Sequence, residues 1–105
     1  MDIIAEKKGT DILLLDITPI STLADYFILA SGDSERQLKA ITDEIELKVK
    51  SELQASPLHV DGEPNSGWVV IDYGGVIIHL FHPEVRAYYH LEELWGNARI
   101  VVKIQ

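Results

Sequence analysis

The chain has 105 residues, enough for one domain, and its 47% apolar and 25% charged residues are typical of globular proteins. Nine Lys and Arg against 17 Asp and Glu give a net charge of −8, which disfavours a protein that binds nucleic-acid phosphates and favours one that meets a basic partner. The absence of cysteine excludes disulfides, thiol catalysis and Cys-ligated zinc, and without a signal peptide or a spanning apolar segment we expect residues 1–105 to form one cytoplasmic domain.

The first elements are a short helix and two strands. Residues 1–8 are expected to form helical turns that end at Gly9, with their isoleucines buried. Residues 11–17 and 26–30 are apolar runs of strand length that lack polar alternation. Such runs are typical of strands buried on both faces, although a buried helical segment has the same pattern.

Residues 34–53 carry the clearest helical pattern. Ser34 with Gln37 three positions later predicts a capping box at the start. The apolar stripe of an amphipathic helix that covers a sheet follows as Leu38, Ile41, Ile45, Val49 and Leu53. Turn-forming residues then indicate a loop over 54–67, with a short strand around His59.

Two apolar runs joined by Gly74-Gly75 predict a tight β-hairpin over 68–73 and 76–81. Counting outward from the turn pairs Tyr73 with Val76 and continues to Trp68 with Phe81. Because side chains alternate along a strand, one face of the hairpin is aliphatic and is expected to be core. It carries Val69, Ile71, Tyr73, Val76, Ile78 and Leu80.

The other hairpin face combines two large aromatic side chains with a carboxylate and an imidazole. Its residues are Trp68, Val70, Asp72, Ile77, His79 and Phe81. Such a face is too polar for an easy core and too apolar for open solvent, so it is the first candidate for a functional surface. The competing interpretation places Trp68 and Phe81 beneath a second helix.

The C-terminal part predicts a helix and a last strand. Pro83 suits the first position of a helix that ends near Gly96, with one apolar stripe. Its other side chains, Arg86, Tyr89, His90, Glu92 and Glu93, are expected to point away from that stripe. Residues 100–104 form either an edge strand or an ordered tail.

No catalytic or metal-binding pattern emerges from the sequence. His79 and His82 are three apart, which on a strand turns them to opposite faces, so no metal is expected. The turn at 31–36 could place a phosphate on helix N–H groups, but Asp33 stands where an anion would bind. The turn is therefore interpreted as a helix cap, and we expect neither enzymatic activity nor a cofactor.

Three segments taken together resemble the ribosomal silencing factor family, also called Iojap-like proteins. The resemblance runs from Thr10 to Trp95 through DILLLDI, ADYFILASGDSERQLKAI and WVVIDYGGVIIHLFHPEVRAYYHLEELW. Relatives usually have a longer N-terminal helix, and ARIVVKIQ at the end matches no pattern of the family.

This resemblance implies a single α/β domain with a mixed β-sheet and helices packed on it, a nucleotidyltransferase-like fold without the catalytic motif. It implies a non-enzymatic protein that binds a basic protein on the inter-subunit face of the large ribosomal subunit, blocks joining of the small subunit and represses translation. It also implies a homodimer. The alternative is a nucleotidyltransferase-like enzyme or nucleotide-binding protein, although no strand with two alternating acids follows Ser31-Gly32 at the required distance.

Aromatic anchors and acidic side chains are the groups expected to meet the basic ribosomal protein. We assign docking to the mixed hairpin face and the last helix, through Trp68, Val70, Asp72, Tyr73, His79, Tyr89 and Glu92.

Overall fold

The computed structural model describes Ile4, residues 9–19, Thr22, residues 24–88 and residues 99–104. In chain order its elements are β1 (Thr10–Asp16), β2 (Tyr26–Ser31), α1 (Glu35–Leu53), β3 (His59–Asp61), a 3₁₀ turn (Pro64–Ser66), β4 (Trp68–Asp72), β5 (Val76–Phe81), α2 (Pro83–Tyr88) and β6 (Arg99–Ile104).

The strands of the described residues form one mixed sheet in the order β3-β4-β5-β2-β1-β6. The central pair, β2 and β5, is parallel, and the other four pairs are antiparallel. The connection between the parallel strands contains α1, as parallel neighbours require a long crossover. The mixed sheet expected from the sequence is confirmed, and of the two outcomes left open for 100–104 the edge strand is correct.

The hairpin has the predicted register. Trp68 lies opposite Phe81 and Asp72 opposite Ile77, and the Tyr73 N–H donates to the Val76 carbonyl oxygen over 2.9 Å. Gly74 has φ of 90°, a conformation that glycine adopts without the steric cost that a Cβ imposes. The turn chemistry therefore fixes which side chains share a face.

Helix α1 packs on one face of the sheet, as predicted. Leu38, Ile41 and Ile45 are at most 2% exposed and join the aliphatic hairpin face in one core cluster. The stripe ends at Leu53, whose side chain lines a groove with Ile45 and Val49 and is 72% exposed in the last turn of the helix.

The predicted capping box is present at the start of α1. The Ser34 hydroxyl accepts a hydrogen bond from the Gln37 N–H at 3.1 Å, and the Gln37 side-chain oxygen accepts from the Asp33 N–H at 2.6 Å. The first bond satisfies a backbone donor that the helix itself leaves without a partner, and the second ties the residue before the cap to the first turn.

A second core cluster lies on the face of the sheet away from α1. It contains Leu13, Leu15, Leu29 and Phe81. Because Ile12 and Ala30 of the same two strands belong to the α1 cluster, β1 and β2 are buried on both faces, as their unbroken apolar runs predicted.

In the N-terminal segment Ile4 is helical and 1% exposed, and the rest of the predicted helix lies outside the described residues.

Arg86, which was expected to point away from the apolar stripe of the last helix, is a buried polar residue of the fold. It is 6% exposed, and its Nη1 donates to the Asp11 carbonyl oxygen at 2.8 Å and to the Ser31 hydroxyl at 3.0 Å. Asp11 has φ of 48° at an irregular point of β1, so its carbonyl needs a partner from outside the strand ladder. Arg86 thus connects α2 to the ends of β1 and β2.

None of the helices in the described part of the chain has the length and apolar composition to cross a bilayer.

A candidate protein-docking surface

The mixed hairpin face lies on the side of the sheet opposite α1. Alternation along β4 and β5 sends Trp68, Val70 and Ile77 to this side, together with Asp72. These four side chains are half-buried, and we call them the docking face. Phe27 of β2 and Val85 of α2 are also half-buried and pack on the same core cluster as Trp68 and Ile77.

The docking face is partly covered and partly accessible. Phe81 is fully buried in the second core cluster, as the competing interpretation required, but Trp68 beside it keeps part of its surface accessible. The two rings lie 5.2 Å apart at 45°, which is a favourable aromatic arrangement. Trp68 is therefore anchored in the core and still able to contact another molecule.

A cleft of about 440 Å³ runs along one side of Trp68. Its apolar wall is formed by Trp68, Val70 and Val85, and the exposed carboxylate of Asp61 lies at its edge. An indole beside an acidic group suits a side chain that has both an apolar stem and a positive charge. The surface thus has the chemistry expected of a site for a basic protein.

His79 is not part of the accessible surface, although the sequence placed it there. Its side chain is 7% exposed, because Phe27 and Phe81 pack around it with ring centroids 4.8 Å and 5.9 Å away. Desolvation by this burial lowers the pKa of His79 to about 4, so the imidazole is neutral at physiological pH. Its Nδ1 accepts a hydrogen bond from the Trp68 indole N–H at 3.4 Å.

Tyr73 and Asp72 differ in their relation to the docking face. Tyr73 packs against the core cluster beneath α1, so it does not share a face with Trp68. Burial, and secondarily the Glu46 carboxylate, raise the pKa of Tyr73. Asp72 lies on the docking face and is half-buried, and its Oδ1 accepts from the Gly74 N–H at 2.7 Å and closes the hairpin turn.

Two assigned docking residues, Tyr89 and Glu92, lie outside the described residues. Sequence patterning missed the accessible Asp61, and Val85 as a wall of the cleft. The position of Asp61 depends on β3 pairing with the outer edge of β4, and its ladder partner there is Val70. A three-residue strand in a loop rich in turn formers gives too weak a signal to predict that pairing.

The described residues also bear on a metal site and on the nucleotidyltransferase alternative. Within the described ranges no three His, Asp or Glu side chains form a group that could hold a metal ion. Ser31 and Gly32 lead directly into α1, and the next strand, β3, begins only at His59. The spacing that a nucleotidyltransferase needs is therefore absent from this connection.

Comparison with known proteins confirms the family resemblance of the sequence motifs. The family described as ribosomal silencing factor during starvation matches residues 1–105. A ribosomal silencing factor of Halalkalibacterium halodurans is 41% identical over 96 residues, which cover 91% of this chain and 81% of that protein. The chain belongs to the ribosomal silencing factor family.

Structural and more distant comparisons agree with this assignment. A crystal structure of a Chromobacterium violaceum protein superposes with a TM-score of 0.84 at 37% identity, over 90% of this chain and 78% of that one. The mouse protein named mitochondrial assembly of ribosomal large subunit protein 1 is 30% identical over 97 residues. That match covers 90% of this chain and 42% of the mouse protein. The family fold is therefore shown, whereas its grouping with nucleotidyltransferase-like folds stays a prediction.

Proposed function

We propose that this protein binds a basic protein on the inter-subunit face of the large ribosomal subunit and thereby blocks joining of the small subunit. The family membership supports a regulatory role at the ribosome, and the name of the mouse relative refers to the large subunit. In this proposal residues 1–105 act as one cytoplasmic domain without catalytic activity, and homodimer formation is part of it.

The observation that carries the proposal is the half-buried Trp68 in the wall of an apolar cleft that has the Asp61 carboxylate at its edge. A tryptophan that is packed on one side and accessible on the other loses little side-chain freedom on binding, which is a property of interface hot spots. Asp61 lines the same cleft as this indole, and Asp72 adds a second negative charge at the other end of β4. A partner rich in Lys and Arg would be attracted by these carboxylates and held by the apolar surface.

Trp68→Ala is expected to weaken binding to purified large subunits about thirtyfold, because truncating a hot-spot tryptophan costs about 2 kcal/mol or more. Co-sedimentation over a range of protein concentrations measures this loss. The variant also removes packing from the second core cluster, so its fold is checked by circular dichroism at the temperature of the assay.

The matched control is Val49→Ala. Val49 is half-buried against the core cluster beneath α1, on the opposite side of the sheet. Val49→Ala loses packing without altering the docking face, so the affinity of this variant for large subunits should equal that of the parent. If folded Trp68→Ala bound like the parent, docking through this face would be refuted.

Association with the large subunit is expected to slow several-fold when salt rises from about 50 to about 300 mM, since charges are screened over roughly 8 Å at physiological ionic strength. Dissociation should change less, because apolar contacts around Trp68 govern it. Stopped-flow measurements with labelled protein give both rates. An association rate that ignores salt would show that the acidity does not steer docking.

Asp72→Asn isolates the contribution of the docking face to this salt dependence. The variant removes the charge but keeps a side-chain oxygen that can accept from the Gly74 N–H, so the turn is preserved. It should flatten the salt dependence of association, whereas Asp43→Asn on the exposed side of α1 should not. Glu92→Gln is proposed as a second variant of the same kind.

A further inference from the structure

The contact between Trp68 and His79 connects the accessible surface to the interior. Trp68 begins β4, and its ladder partner Phe81 is two residues beyond His79 in β5, so the indole and the imidazole are diagonal neighbours on one face. The indole N–H donates to His79 Nδ1 at 3.4 Å. Because the indole nitrogen is only a donor, this bond requires an unprotonated Nδ1, and the neutral ring then has its proton on Nε2.

The imidazole that accepts this bond is itself held in place. Phe27 meets it edge-on, with centroids 4.8 Å apart, and Phe81 stacks with it at 5.9 Å and 8°. With 7% of its surface exposed, His79 has little room to change rotamer. Its low pKa keeps the acceptor available across the physiological range, so the orientation of the indole does not vary with ordinary changes of pH.

We propose that His79 is a positioning residue for docking, which fixes the Trp68 indole at the angle that the partner protein meets. This inference rests on the proposed function, because it gives His79 a role in binding without contact to the partner. The competing role for His79 is to fill core volume between Phe27 and Phe81. The two roles predict different residues at position 79 that preserve binding to large subunits.

Two substitutions at position 79 separate these roles. His79→Asn places a side-chain oxygen near the position of Nδ1 and so retains an acceptor. His79→Leu fills a similar volume with an apolar group and has no acceptor. A positioning residue is rescued by asparagine and not by leucine, whereas a volume-filling residue prefers leucine.

The test combines a measurement on the isolated protein with a binding assay. The Trp68 indole N–H resonance is followed in ¹H–¹⁵N spectra and assigned with Trp68→Phe. His79→Leu should shift this resonance and weaken binding to large subunits about fivefold, which corresponds to the loss of one hydrogen bond. His79→Asn should bind within about twofold of the parent. Thermal melts of both variants check that each is folded in the assay.

Three outcomes would overturn the positioning role. They are an unmoved indole resonance in His79→Leu, parental binding by His79→Leu despite a moved resonance, and equal weakening by both variants. If Trp68→Ala leaves binding unchanged, the docking face itself is refuted and the positioning role with it. In that case, a shift of the Trp68 indole N–H resonance in His79→Leu would show that the hydrogen bond exists in the isolated protein although the proposed function is wrong.

Discussion

Ile45→Asp is expected to destabilise the protein by about 4 kcal/mol or more. Ile45 is 2% exposed in the core cluster between α1 and the sheet, so the substitution removes a large buried side chain. Losses of this kind cost about 2–5 kcal/mol, and the new carboxylate adds the cost of burying a charge without a partner. Since domains have total stabilities of about 5–15 kcal/mol, a large part of the variant should be unfolded at 37 °C.

Leu47→Asp is the matched control for this prediction. It makes a similar apolar-to-acid change two residues away in α1, where the side chain is 65% exposed. Its cost should be about 1 kcal/mol or less, mainly from the lower helix propensity of aspartate. Urea unfolding followed by circular dichroism measures both values. Equal destabilisation by the two variants would mean that α1 does not bury the predicted stripe.

Acidification from pH 7 to pH 5 is expected to lower the free energy of unfolding by about 2 kcal/mol through His79 alone. Acidification from well above to well below both pKa values of His79 would lower it by about 3 kcal/mol. The pKa of His79 is about 4 in the folded protein, against 6.5 for an ordinary histidine. Between these values the unfolded chain binds a proton that the folded protein does not. The stabilising contribution is therefore complete above about pH 6.5 and falls as the pH drops towards 4.

Substitution of His79 isolates this effect from the carboxylates that titrate at lower pH. Urea unfolding of His79→Leu should show a much flatter stability profile between pH 7 and 5 than the parent. His59→Asn is the control, because His59 is exposed on β3 and its replacement should leave the parental slope. A parental slope in His79→Leu would show that His79 is not buried in the neutral form.

Local patterns in the sequence were sufficient to predict most of the fold. The Gly74-Gly75 turn determined the hairpin register, and the spacing from Leu38 to Ile45 determined the buried side of α1. Both signals depend on contacts that are close along the chain, where side-chain periodicity maps directly onto geometry. The capping box of Ser34 and Gln37 is of the same kind.

The features that local patterns did not reveal concern residues whose surroundings are assembled from distant segments. Arg86 is buried because Asp11 and Ser31, 75 and 55 residues away in the chain, supply its hydrogen-bond acceptors. His79 is buried because Phe27 of the neighbouring parallel strand covers it. A polar residue type indicates exposure on average, and only the tertiary contacts reveal such exceptions.

The candidate site was therefore predicted in part. Alternation from the hairpin turn was sufficient to put Trp68, Val70 and Asp72 on one face, since register alone determines it. It could not show that His79 lies beneath this face, or that β3 brings Asp61 to its edge. Tyr73 was assigned by its position at the turn, although its place in the alternation puts it on the α1 side.

Subunit joining in the presence of this protein tests the proposed function most directly. Purified small and large subunits are mixed, and light scattering follows their association as the protein is added. The parent protein should suppress joining once it occupies the large subunits, and folded Trp68→Ala should need about thirtyfold more protein for the same effect. Undiminished joining by large subunits that are saturated with the parent protein would contradict the proposal.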